Sequence, residues 1–147
     1  METIKLNTLT NKIFIGAFAL LILFSFDASA KKVNFLKSTV VPAARGYVKI
    51  NRDKNLNYVI SISISNLAEA NRLEPSKLTY IVWMVTDEKI TMNMGKIDSS
   101  VGLLSKSLKA KFETVTALKP VQILITAEDD PSRKYPGTEV ALLTSKF

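Results

Sequence analysis

Cysteine and histidine are both missing from the 147 residues. Without cysteine there is no disulfide, so the fold has to rest on a packed core. Without histidine the usual general base, the usual zinc ligand and both standard hydrolytic triads are lost. The chain has no Gly-x-Ser-x-Gly, no Ser-x-x-Lys and no glycine-rich phosphate loop. Ser107 and Lys109, two apart on an alternating strand, read as solvated neighbours rather than a nucleophile and its base. The one acidic cluster is Glu128 to Asp130, ahead of Pro131. A calcium site needs six to eight converging oxygens, which three consecutive acids do not supply, so a capped, solvated turn is expected there. Nothing in the spacing selects a carboxylate pair for glycoside hydrolysis. The expectation is a protein that is not an enzyme and has no metal and no cofactor.

The N-terminus is a segment to set aside before any fold argument. "METIKLNTLTNK" carries Lys5 and Lys12, then fourteen nearly all apolar residues run from Ile13 to Phe26, then "DASA" ends in small residues. A basic head, an apolar middle and a small-x-small exit describe a secretory signal, with cleavage expected after Ala30. The apolar run falls short of the roughly 20 residues a spanning helix needs. The alternative is an uncleaved segment that tethers the domain to the membrane. No cysteine follows the run, so there is no lipoprotein attachment point. The expected division is 1–30 signal peptide and 31–147 a single domain, periplasmic or secreted.

Acidic residues are in deficit, 13 against 20 lysines and arginines. Setting aside Glu2, Lys5, Lys12 and Asp27 leaves 18 basic and 11 acidic residues, still +7. Such a surplus either aids solubility or draws the domain to anionic phospholipid, acidic glycan or lipopolysaccharide phosphate. No basic cluster interleaved with aromatics points to nucleic acid.

From residue 44 onward the chain is a series of short strands separated by turn signals. "ARGYVKIN" puts Val48 and Ile50 on one face and Tyr47 and Lys49 on the other. "RDKNLN" reads as a hairpin turn. "YVISISIS" has the cleanest period of two, with Ile60, Ile62 and Ile64 inward and Ser61, Ser63 and Ser65 outward. "NLAEANRLEPSK" is a loop with room for one helical turn at Ala68 to Arg72. "LTYIVWMVT", "ITMNMG", "SLKAKFE" and "PVQILITAE" are further strands, the last with Val121, Ile123 and Ile125 on one side. "DDPSRKYPG" is a loop, and "TEVALLTSKF" is the final strand. Lys31 to Lys37 reads as a lead-in. About seven strands at this spacing, without intervening helices, imply an all-β, immunoglobulin-like antiparallel sandwich.

One stretch breaks the alternation. "YIVWMV", Tyr80 to Val85, has no polar residue and holds the only Trp. A strand apolar on both faces belongs mid-sheet with both sides covered. Trp83, on the face of Ile81 and Val85, is the expected central plug of the core, with Ile60, Ile62, Ile64, Ile123 and Ile125. The other face, Tyr80, Val82 and Met84, is covered either by the chain's own loop and lead-in or by a partner, which would make it a partner-binding patch.

"ARGYVKI", "YVISISISNL", "YIVWMV", "NMGKID" and "VQILITAEDDPSRKYPGTEVAL", in that order, resemble the extracytoplasmic domain of the anti-sigma-K factor family. The matching positions are Tyr80 and Trp83, Gly95, Glu128, and the turn at Pro136 and Gly137, within Ala44 to Leu143. The resemblance implies a sandwich and no catalytic residue. Family members that bind a sigma factor carry a sizeable cytoplasmic domain, often with a His/Cys zinc motif. Here twelve residues precede the apolar run. The expectation is the outer domain alone: an exported binding or accessory module of the bacterial envelope. Its partner would be an envelope protein or an anionic surface component. A membrane-tethered envelope sensor is the alternative.

Overall fold

The computed structural model describes residues 30–101 and 108–147. The stretch read as an export signal lies outside them except for Ala30, and so does Ser107. The strands are β1 Lys31–Asn34, β2 Arg45–Arg52, β3 Tyr58–Ser65, β4 Thr79–Thr86, β5 Thr91–Ile97, β6 Ser100–Val101, β7 Leu108–Thr116, β8 Pro120–Glu128 and β9 Val140–Leu143. They form two antiparallel sheets, in order β1-β2-β3-β7-β6 and β5-β4-β8-β9. The architecture is an antiparallel β-sandwich.

The alternating strands dictate the first sheet. Val48 and Ile50 on β2, Ile60, Ile62 and Ile64 on β3 and Ala110 on β7 are buried, and pairing of Val48 with Ile62 and Ile62 with Phe112 aligns them on one face. β-Branched side chains suit that pleated surface. The second sheet answers with Tyr80, Val82 and Met84 of β4, Ile123 and Ile125 of β8, and Leu142 of β9. The segment 66–78 plugs one end of the sandwich with Leu67 and Ala70, around a single 3-10 turn, Ala70–Arg72.

Tyr80 is tied to that plug: its phenol donates to the Ala68 carbonyl at 2.8 Å. Burial pushes the phenol up to about 12. Its folded value lies above the unfolded one, so the stability it contributes is complete below about pH 10 and is lost as pH rises from 10 towards 12. Tyr80→Phe should flatten this alkaline limb of the stability profile and cost about 1 kcal/mol at neutral pH, the worth of one buried hydrogen bond. Denaturant melts between pH 7 and 12 read both effects.

Two elements differ from expectation. The lead-in is a strand, β1, on the edge of β2. The chain then crosses over: the Phe35 amide bonds Gly46 in one sheet and the Leu36 amide bonds Leu143 in the other. Four residues are too few for periodicity to show, and it is pairing that orders them. The final strand is short, and from Thr144 onward the chain stays beside β8 through scattered bonds to Ile123 and Val121.

Candidate functional site

The unbroken apolar strand β4 is buried on both faces, but the two faces have other roles than expected. Tyr80, Val82 and Met84 are 1%, 0% and 0% exposed and lie between the sheets. They form no partner-binding patch, because the opposite sheet and the 66–78 segment cover them. Trp83 is fully buried, yet it does not plug the layer between the sheets. Side chains alternate along a strand, so it lies on the outer face of the second sheet.

A polar chain on that outer face takes the place of the expected plug. Trp83 Nε1 donates to Thr126 Oγ1 at 2.8 Å, and that hydroxyl donates to Glu128 Oε1 at 2.6 Å. Gly137 N donates to the same oxygen at 2.7 Å, and Arg133 Nη1 donates to Oε2 at 2.9 Å. The Glu128 side chain is 2% exposed, against 46% for Arg133. The loop 129–138 is therefore anchored to β8 through Glu128. It is also anchored to β5, where Asn93 Nδ2 donates to the carbonyls of Pro131 and Arg133. Since β4 lies between β5 and β8, the loop must cross over Trp83 and seal it from water. A bulge in β5 sets up this grip. Val82 faces Gly95 while Trp83 faces Asn93, and Gly95 takes φ +121, a conformation glycine tolerates.

The acidic cluster is thus divided. Asp129 pairs with Lys77, Asp130 accepts two bonds from Ser132 that hold its carboxyl below the usual range, and Glu128 alone is buried. For Glu128 the expected solvated turn does not hold. The sequence signal was available: an acid ending an apolar strand, nine residues before a glycine. Gly137 is part of the design, since a Cβ there would lie 2.7 Å from the Glu128 carboxylate. Gly137→Ala should cost about 1–3 kcal/mol in thermal or chemical melts, the range for overpacking.

The network is structural. A second polar surface is the outer side of the five-stranded sheet. Strand register places Lys32 opposite Lys49, which faces Ser61 and then Glu113. The next row is Asn34, Tyr47, Ser63 and Lys111, and beyond it come Arg45, Ser65 and Lys109. Among the described residues, five cations, Lys32, Arg45, Lys49, Lys109 and Lys111, share this face with a single acid, Glu113. Short serines on β3 between taller neighbours make a trough. Two shallow grooves meet in it, of about 540 and 470 Å³, sharing Tyr47 and Ser63. From Ser61 to Ser65 it runs about 13 Å at the usual strand rise.

None of the five cations forms an ion pair among the described residues, whose pairs are Arg72–Glu69, Lys77–Asp129, Lys96–Asp98 and Arg133–Glu128. Lys32 stacks over the Tyr47 ring at 4.0 Å, and Arg45 is steadied by the carbonyls of Pro42 and Ala44. Lys32 and Lys49 sit directly opposite each other, an arrangement that costs stability unless an anion intervenes.

Fold and surface together define a β-sandwich with one basic, serine-lined sheet face. Compared with protein-family models, curated proteins and solved structures, the chain matches none of them.

Proposed function

We propose that this chain is a non-catalytic, exported β-sandwich module of the bacterial cell envelope that binds an anionic surface component. The ligand lies along the serine trough, its negative groups meeting Lys32, Arg45, Lys49, Lys109 and Lys111 while serine hydroxyls donate hydrogen bonds. The observation that carries this reading is the sorting of charge: among the described residues, five cations without carboxylate partners stand against one acid on a single sheet face. A surplus serving only solubility has no need to collect on one side.

Co-sedimentation with vesicles tests it. The protein should bind vesicles containing phosphatidylglycerol and ignore pure phosphatidylcholine, with affinity falling as salt shortens the screening length. Lys49→Gln with Lys111→Gln should weaken binding about 30-fold, taking about 1 kcal/mol per cation near an anionic surface. Binding to the two vesicle types alike, or an unchanged affinity in the double variant, would rule the face out. N-terminal sequencing of the exported protein should start at Lys31. A retained segment would instead favour the tethered, anti-sigma-like sensor.

A further inference from the structure

At one end of the sandwich, where β2 and β3 approach the start of β8, a recess of about 220 Å³ opens to solvent. Ile50, Tyr58, Pro120 and Phe147 give it apolar walls, and Lys31, Arg52 and Lys119 stand around them with no acidic residue among the lining. The arrangement is built. The Arg52 guanidinium lies 3.8 Å from the centre of the Tyr58 ring, donates to the Tyr58 hydroxyl at 2.5 Å and donates to the Leu56 carbonyl. The Lys31 ammonium stands 5.6 Å from the centre of the Phe147 ring. These contacts position the positive charges but neutralise none of them. Among the described residues Lys31, Arg52 and Lys119 have no carboxylate within ion-pair distance. The one acid of the adjoining hairpin, Asp53, is occupied by the amides of Asn55 and Asn57 and the Asn57 side chain.

We propose that this recess is a binding site for a medium-chain carboxylate, its tail against Ile50, Tyr58, Pro120 and Phe147 and its head among the three cations. Size and charge both select this class. A dry cavity of about 150 Å³ lined by Leu, Ile and Phe accepts benzene, so the recess takes a tail of that bulk or slightly more. An apolar hollow with a few convergent polar groups is the usual form of a small-molecule site. Three cations and no acidic side chain in the lining disfavour a cationic head and give a neutral one no advantage. The inference is independent of the basic sheet face, which involves none of these residues.

Isothermal titration of the protein with octanoate, octanol and octyltrimethylammonium tests the proposal. Octanoate should bind at least about tenfold more tightly than octanol, with octyltrimethylammonium weakest. Lys119→Gln should weaken octanoate about three- to fivefold, the worth of one exposed ion pair, and leave octanol unchanged. Ile50→Ala should weaken both, and a circular dichroism melt shows whether that variant is folded. Equal affinity for octanoate and octanol, or no octanoate binding at millimolar concentration, overturns the site. Lys49→Gln with Lys111→Gln should leave octanoate binding intact, so failure here and failure of the vesicle experiment are distinguishable.

Discussion

Trp83→Ala should destabilise the domain by about 3–5 kcal/mol, the range for removing a large buried aromatic. Three losses combine. The indole leaves a void under the 129–138 loop, Thr126 Oγ1 loses the donor that now bonds it at 2.8 Å, and the loop loses the surface it covers. Small domains have about 5–15 kcal/mol in all, so the variant should melt far below the parent. Urea unfolding read by far-ultraviolet circular dichroism measures the change. In the parent, the emission of this lone Trp should be blue-shifted and protected from iodide. Ready quenching would mean that the loop does not close over it. Trp83→Phe should cost less, because most of the burial survives and the loss is limited to the N–H and part of the ring volume.

Glu128→Ala should be the second most damaging change, at about 3 kcal/mol. Its carboxylate accepts from Thr126, Gly137 and Arg133. Arg133 is half exposed and recovers water when the acid is removed. Thr126 is fully buried, and its hydroxyl must find another acceptor. Unsatisfied buried groups cost about 1–3 kcal/mol each, and the loop also loses its tie to β8. Arg133→Ala should cost less than Glu128→Ala, since two donors still hold the buried carboxylate. Trp83 and Glu128 act through one hydroxyl, so Trp83→Ala with Glu128→Ala should cost clearly less than the two singles added together. Strict additivity in urea melts would mean that the chain from indole to carboxylate carries no coupling.

Much of the sandwich was legible because a period of two is a direct imprint of the pleat. In "YVISISIS" each serine declares the wet side and each isoleucine the dry one, and the structure follows. β4 is different. With both faces apolar, the pattern says that both are covered but not which one faces the other sheet. The structure gives the inter-sheet layer to Tyr80, Val82 and Met84, and Trp83 to a layer sealed by a loop. That choice depends on Glu128, Asn93 and Gly137 meeting across three strands, which no local pattern encodes. The basic face was hidden for the same reason. Lys49 and Lys111 are 62 positions apart in the sequence, and only the register of β2, β3 and β7 makes them neighbours.

The amino-acid sequence by itself determined the class of fold, the inward and outward faces of the regular strands, and the absence of cysteine and histidine chemistry. These follow from side-chain type and spacing, which act over a few residues. Tertiary structure alone decided where the indole is buried, that one acid of three is desolvated, and that five scattered cations share a face. Each of these depends on long-range pairing, where the gain comes only after distant segments have been brought together.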